Sequence, residues 1–301
     1  MTQYLARHCP SCGSDRPIAE VRSDPKAEAL PLDKVAPYWS GLFKEKVFFS
    51  YDRCGDCGLL YAPTYFKAEQ LGELYAAMAP NMDLVPDRSL EETQAGYWAA
   101  AKVAGAIHGG YLEIGPDIGY IVRRAVDEGA FDHFWLFEPN VAVHAQLTSA
   151  ASSAAHTISA AMDDLSEVPD GSIGLAVMVH VLDHVLEPTA TLERVRAKLR
   201  PDGLLIIVTH NERSLLRKLM GLRWPPFCLQ HPEIYNPASI TGLLRKSGYT
   251  DVQVKGSKNV FPLPFMAQQA AYAVGINLKK VPLPNIPIGL KLGNMITLAR
   301  P

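Results

Sequence analysis

The chain has 301 residues, a formal net charge of −2, a pI near 6.5, 48% hydrophobic and 20% charged residues, as expected of a globular protein with one large or two modest domains. Such balanced charge argues against the clustered lysine and arginine that grip nucleic acid or anionic membranes, so no nucleic-acid partner is expected. The opening MTQYLARHCPSCG lacks the basic-then-apolar profile of a secretory signal, and a cytoplasmic location is expected.

Four of the five cysteines form two knuckles, Cys9 to Cys12 in CPSCG and Cys54 to Cys57 in CGDCG. A Cys-x-x-Cys turn places two thiolates on one side of a tight loop, and two such turns complete a tetrahedron around zinc. Each knuckle resembles half of a zinc ribbon, which implies a structural Zn2+ on Cys9, Cys12, Cys54 and Cys57, closed to substrate and water. A redox disulfide or unlinked core cysteines are the competing readings, the former disfavoured in a reducing compartment. The 41 residues from Gly13 through Arg53 exceed ribbon spacing, so an insertion is expected at 25–45, with VFFSYDRC (47–54) as a strand entering the second knuckle. The ribbon-like domain is assigned to 1–66, and loss of zinc is expected to unfold 1–60 alone. Cys228 reads as a small buried residue.

Residues 67–107 read as a helical bridge, with helices at Ala68 to Met78 and Glu91 to Ile107 and a linker from Pro80 to Pro86. Next comes LEIGPDIGY (112–120), and Glu138 in FWLFEPN stands 19 residues after Gly119. The pattern predicts a strand, a glycine turn, a helix and a second strand ending in a carboxylate. Such a carboxylate can accept both hydrogen bonds of a ribose diol. A dinucleotide site needs G-x-G-x-x-G to cradle a pyrophosphate, and that spacing is absent, which ranks an NAD-dependent dehydrogenase last. Glu113 and Asp117 suit a ligand bearing an amine and a sulfonium better than one bearing phosphates.

These residues resemble the class I S-adenosylmethionine-dependent methyltransferases. Three later blocks are similar to the same family: MDDLSEVPDGSIGLAVMVHVLDHVLEP (162–188), RVRAKLRPDGLLIIVTHN (194–211) and HPEIYNPASITGLLRKSGY (231–249). The resemblance implies an α/β fold, a Rossmann-like doubly wound seven-stranded sheet over 108–301, beside the small zinc-ribbon-like domain. It further implies that Glu113, Gly115 and Gly119 surround the methionine part of S-adenosyl-L-methionine. Glu138 would take the ribose hydroxyls, Met162 and Asp163 would border the adenine, and Val179 and His180 would lie near the sulfonium. Relatives usually carry glycine where Asp117 stands, which predicts weakened cofactor affinity.

Strands are expected at 111–115, 134–138, 173–179 and 203–208, with a closing antiparallel strand at Asn294 to Arg300. The uncharged run 259–278 is interrupted by Pro262, Pro264, Gln268 and Gln269 and reads as a lid or packing helix rather than a membrane span. Residues 209–236 read as the acceptor lid, with His210, Trp224, His231 and Tyr235 as candidate substrate contacts, although Trp224 and Tyr235 also suit ordinary lid packing.

Methyl transfer needs little beyond in-line alignment, but an alcohol or carbon acceptor benefits from a base. His184 matches a histidine that lies near the acceptor in some relatives and packs a helix in others; it is the catalytic candidate. The expected acceptor is a sugar, nucleotide-sugar or related small molecule. Oxygen is preferred over carbon because no metal beside the acceptor is visible in the sequence. The alternative is an inactive methyltransferase-like binding protein whose ribbon contacts protein or nucleic acid.

Overall fold

The structure is a computed structural model and describes residues 3–39, 47–76, 86–162, 164–273, 276 and 281–301. The N-terminal module is built on β1 (Pro17–Val21), β2 (Tyr51–Cys54) and β3 (Leu60–Tyr61), paired antiparallel with Pro17 opposite Cys54 and Asp52 opposite Tyr61. The strand entering the second knuckle is shorter than 47–54, because Phe48 makes only an isolated bridge with Lys26. Within the insert, Ala27–Ala29, Leu32–Val35 and Ala36–Tyr38 form short helical turns, while 40–45 lie outside the described residues. Tyr4, Phe48, Phe49, Tyr51, Tyr65 and Phe66 form an aromatic core. Phe49 and Phe66 meet edge to face, their centroids 4.8 Å apart, which sets the positive ring edge against a negative face.

The bridging helices run over Ala68–Ala76 and α1 (Asp87–Val103); residues 77–85, which hold most of the expected linker, lie outside the described residues. The main domain then alternates strand and helix: β4 (His108–Ile114), α2 (Tyr120–Glu128), β5 (Ala130–Phe137), α3 (His144–Ala151), β6 (His156–Ser159), β7 (Ile173–Val179), α4 (Pro188–Lys198) and β8 (Leu199–His210). After β8 come β9 (Glu233–Ile234), α5 (Pro237–Lys246), β10 (Asp251–Gly256) and β11 (Asn294–Arg300). The main sheet has seven strands in the order β10-β11-β8-β7-β4-β5-β6. Strand β11 runs opposite to the other six strands, antiparallel to both β10 and β8, and is the expected closing strand.

Side chains alternate across this sheet with the two-residue period of a strand. Leu112 and Ile114 join Leu192, Val195, Leu243 and Leu244 on the face covered by α4 and α5. Tyr111 joins Tyr97, Trp98, Ile121, Val122 and Leu147 on the face covered by α1, α2 and α3. Helix α5 starts where the sequence stops it from starting earlier: Asn236 and Ser239 form a reciprocal capping box and Pro237 occupies the first turn, satisfying amides that have no helical partner. Residues 259–273 form a short strand, Asn259–Pro262, paired with Pro287–Leu290, then a helix, Leu263–Ala273. Among the described residues no helix is long and apolar enough to cross a membrane.

The segment read as an acceptor lid is stitched into the N-terminal module. Strand β9 extends the module's sheet, Glu233 opposite Tyr61. Tyr65 Oη donates to the Leu229 carbonyl (2.6 Å), and the Ala62 amide donates to the Pro232 carbonyl (2.7 Å). Arg7 and Glu233, 5% and 0% exposed at their side chains, pair at 3.1 Å. On the other side Lys246 Nζ donates to the Ser11 carbonyl (2.8 Å), and Cys9 and Cys54 share a core with Leu243 and Tyr235. The module and the sheet are one packed unit.

Candidate functional site

The C-terminal ends of β4, β5, β7 and β8 converge, and in an open α/β sheet this is the edge that binds ligands. The chain leaves β4 through Gly115, whose φ is +70°, and enters α2 through Gly119, whose φ is +80°. A Cβ at Gly115 would stand 2.5 Å from Val181 Cγ2, and one at Gly119 would stand 2.7 Å from Ala150 Cβ. Glycine is therefore required twice, for backbone hand and for close packing. Asp117 also has a positive φ, 52°, a region aspartate tolerates better than most residues.

Glu138 closes this bend. It is 6% exposed, and its two oxygens accept from the amides of Asp117 (2.9 Å) and Asn140 (2.8 Å). A carboxylate offers about four lone-pair sites, so acceptor capacity remains for a diol. Burial raises its pKa against the pull of those two amides. Glu113 is 2% exposed and takes the Tyr111 hydroxyl, two residues back on the same sheet face. Burial lifts its pKa to about 8, opposed by the Tyr111 hydrogen bond and assisted by Glu138 and Asp117. A buried carboxyl beside two other acids is a place where a cationic ligand gains free energy.

Met162 is half-buried against the core on the α4 side, and Val179 is half-buried at the end of β7. Asp163 lies outside the described residues. His180, just past β7, is held at a φ of 51°, with its amide donating to the Val208 carbonyl (2.9 Å).

The structure gathers four sequence-selected histidines around one carboxylate. Ring centroids lie 4.6 Å apart for His180 and His210, 5.0 Å for His210 and His231, and 4.7 Å for His184 and His231. Asp183, fully buried, sits among them. Asn294 bridges two rings, with Oδ1 2.9 Å from His210 Nδ1 and Nδ2 3.1 Å from His180 Nε2. His184 Nδ1 faces the Tyr75 hydroxyl at 3.0 Å, and His231 Nδ1 faces the Pro226 carbonyl at 2.7 Å. Burial depresses the pKa values of His180, His184 and His210, which keeps these imidazoles neutral. Burial also opposes charge on His231, but Cys228 and Asp183 outweigh it and lift this ring to about 9.

Trp224 and Tyr235 are buried: Trp224 packs with Phe227 in the aromatic core and meets the His210 ring edge to face, centroids 6.2 Å apart, and Tyr235 lies in the core shared with the cysteines. Asp183, Asn294 and Tyr75 escaped the sequence reading. Asp183 sits inside the quoted VLDH block, and only the three-dimensional approach of residue 231 gives it meaning.

The sulfurs of Cys9, Cys12, Cys54 and Cys57 lie within 4.8 Å of one another, with Cys9 to Cys57 and Cys12 to Cys54 both 3.5 Å. Zinc–sulfur bonds of ~2.3 Å require tetrahedral edges of about 3.8 Å. That is close to the observed spacing and far from a disulfide bond, so the four thiols fit a tetrahedral ion.

A family profile described as "Methyltransferase domain" matches residues 71–254. The chain belongs to this methyltransferase-domain family, and its seven-stranded Rossmann-like sheet is the fold of that class. Solved structures similar to it include an S-adenosylmethionine-dependent methyltransferase from Thermotoga maritima, 16% identical over 71% of this chain and 98% of that one, with a TM-score of 0.44. Another, from Mesorhizobium loti, is 16% identical over 68% and 98%, with a TM-score of 0.47. Human N-acetylserotonin methyltransferase, solved with S-adenosylmethionine, is 13% identical over 71% of this chain and 54% of that one, with a TM-score of 0.44. No curated protein matches the chain in sequence.

Proposed function

We propose that the chain transfers a methyl group from S-adenosyl-L-methionine to a hydroxyl, or a carbon, of a sugar, nucleotide-sugar or related small molecule. The observation that carries the donor is the bend from Gly115 to Gly119 closed by the buried Glu138, with Glu113 behind it. Glu138 would hold the ribose diol with the acceptor capacity its two amide contacts leave over. Glu113 would face the amine or sulfonium, Met162 and Asp163 the adenine, and Val179 and His180 the methionine end. Asp117 fits the loop backbone, so the inactive-binder alternative gains no support from local strain.

When bound, the donor supplies a methyl carbon already activated by positive sulfur, and the protein's task is alignment and proton removal. The histidine cluster stands next to the donor end, with His210 and His231 as acceptor contacts. His184, kept neutral by burial, is the group through which the acceptor's proton would be drawn off. The sugar-like acceptor rests on the resemblance between a zinc module joined to this core and enzymes of that kind. The cysteine cluster would hold a structural zinc. Incubation with methyl-labelled donor and a panel of nucleotide sugars tests the reading: label should enter a sugar, and His184→Ala should lower turnover at least roughly tenfold with donor affinity intact. A panel that accepts no label, with the donor bound, would remove the sugar assignment.

A further inference from the structure

Asp183 is an acid of a kind almost never fully buried unless paired. It is 0% exposed; among the described residues its Oδ1 has no hydrogen-bond partner, and its Oδ2 accepts one long bond, 3.4 Å, from the His210 amide. A buried carboxylate needs a compensating positive charge, which here comes either from the His231 ring or from a bound cation. Two sets of donor atoms surround it, each within 4.8 Å: His180 with His210, and His184 with His231.

Tautomers decide between the sets. Asn294 touches both His180 and His210, and an amide has one accepting and one donating end. Whichever way it is turned, one ring must donate to it and the other must accept from it. Only one of these two rings therefore keeps a lone pair on its remaining nitrogen, and the set lacks a ligand. His184 and His231 share no such amide, and one choice of tautomers frees a nitrogen on each. The Pro226 carbonyl can only accept, so His231 carries a proton on Nδ1 and the nitrogen left over is Nε2. The Tyr75 hydroxyl oxygen can accept from His184 Nδ1, and in that tautomer Nε2 is again left over. A backbone carbonyl accepting from the far nitrogen is the support that metal-ligating histidines characteristically have, and the Tyr75 oxygen can take the same part for His184.

We propose that Asp183, His184 and His231 hold a divalent transition-metal ion, of the zinc, iron(II) or cobalt(II) kind, beside the acceptor position. Two imidazoles and one carboxylate supply the nitrogen and oxygen donors such ions take, and three protein ligands leave coordination positions for an acceptor oxygen. The role in catalysis rests on the methyltransferase reading; the binding site does not. Coordinated, His184 would act on the acceptor through the ion, which lowers the pKa of a bound hydroxyl.

The test uses the full-length chain with its four-cysteine site already loaded with zinc, titrated with cobalt(II) and followed by calorimetry and visible absorption. One further equivalent should bind, with spectra of nitrogen and oxygen ligation rather than thiolate. Asp183→Asn, close in shape, should weaken that equivalent by at least about a hundredfold, and Tyr75→Phe by about ten- to a hundredfold. Neither should release the zinc. A wild-type titration in which no further equivalent binds would overturn the proposal and leave Asp183 balanced by a protonated His231. If donor binding and methyl transfer nonetheless persisted, the enzymatic reading would stand without the ion. A titration unaffected by Asp183→Asn would overturn it equally.

Discussion

Replacing Gly115 with alanine tests the bend on which the donor site depends. At a φ of +70° an L side chain costs roughly 1–2 kcal/mol. The new Cβ would also lie 2.5 Å from Val181 Cγ2, where ordinary contact begins near 3.4 Å. Val181 is 7% exposed, and its β-branched side chain has little rotameric freedom, so relief must come from backbone shifts worth about 1–3 kcal/mol. Alanine's smaller unfolded-state entropy returns a fraction of a kcal/mol. The net loss should be about 2–4 kcal/mol, read from urea denaturation with an unchanged m-value. In a Val181→Ala background the same substitution should cost about 1–3 kcal/mol less, because the overlap is gone. A loss under about 0.5 kcal/mol, or one identical in both backgrounds, would show that this backbone hand and this contact are wrong.

Burial lifts the pKa of Glu233 to about 8 against the pull of Arg7, so Arg7→Ala should cost about 3–5 kcal/mol by chemical denaturation above that pH, where the carboxylate is stranded, and less below it, whereas replacing both partners with methionine should recover most of it. Cys57→Ser should lower the melting of the entire chain in one calorimetric transition, since Cys9 and Cys54 share their core with α5; a separate early transition for 1–66 would instead support independent modules. Glu113 has a folded pKa near 8, above its usual 4.5, so the folded state keeps a proton that the unfolded state has lost. Stability should accordingly fall as pH rises between these values, by at most about 1.4 kcal/mol per pH unit, and Glu113→Gln should flatten that slope in denaturation midpoints measured across the range.

Much of the fold was readable because strands buried on both faces, such as IGLAVMV in β7, leave an unambiguous apolar run. Positive-φ glycines at 115 and 119 were legible for a similar reason: no other residue does their work cheaply. The two knuckles announced their cluster, and the structure brings the four sulfurs together across the long insert. How segment 209–236 is anchored was not legible. Nothing in HPEIYN marks Glu233 and Ile234 as a strand of another sheet, since a two-residue strand has no period to read and its partner lies far back in the chain. Trp224 and Tyr235, which suit both pocket walls and lid packing in sequence, are buried, with Trp224 against the His210 ring. Asp183 was invisible because, although His180 and His184 flank it in sequence, His210 and His231 reach it only through the fold.

The account stands on the donor cleft, and titration calorimetry with S-adenosyl-L-methionine examines it most directly. One donor per chain should bind to the wild type, and Glu138→Ala should bind at least roughly tenfold more weakly, since hydrogen bonds to a charged group are lost, with the fold intact by circular dichroism. No heat of binding to the folded wild type at millimolar donor, or equal affinity in the Glu138→Ala variant, would contradict it.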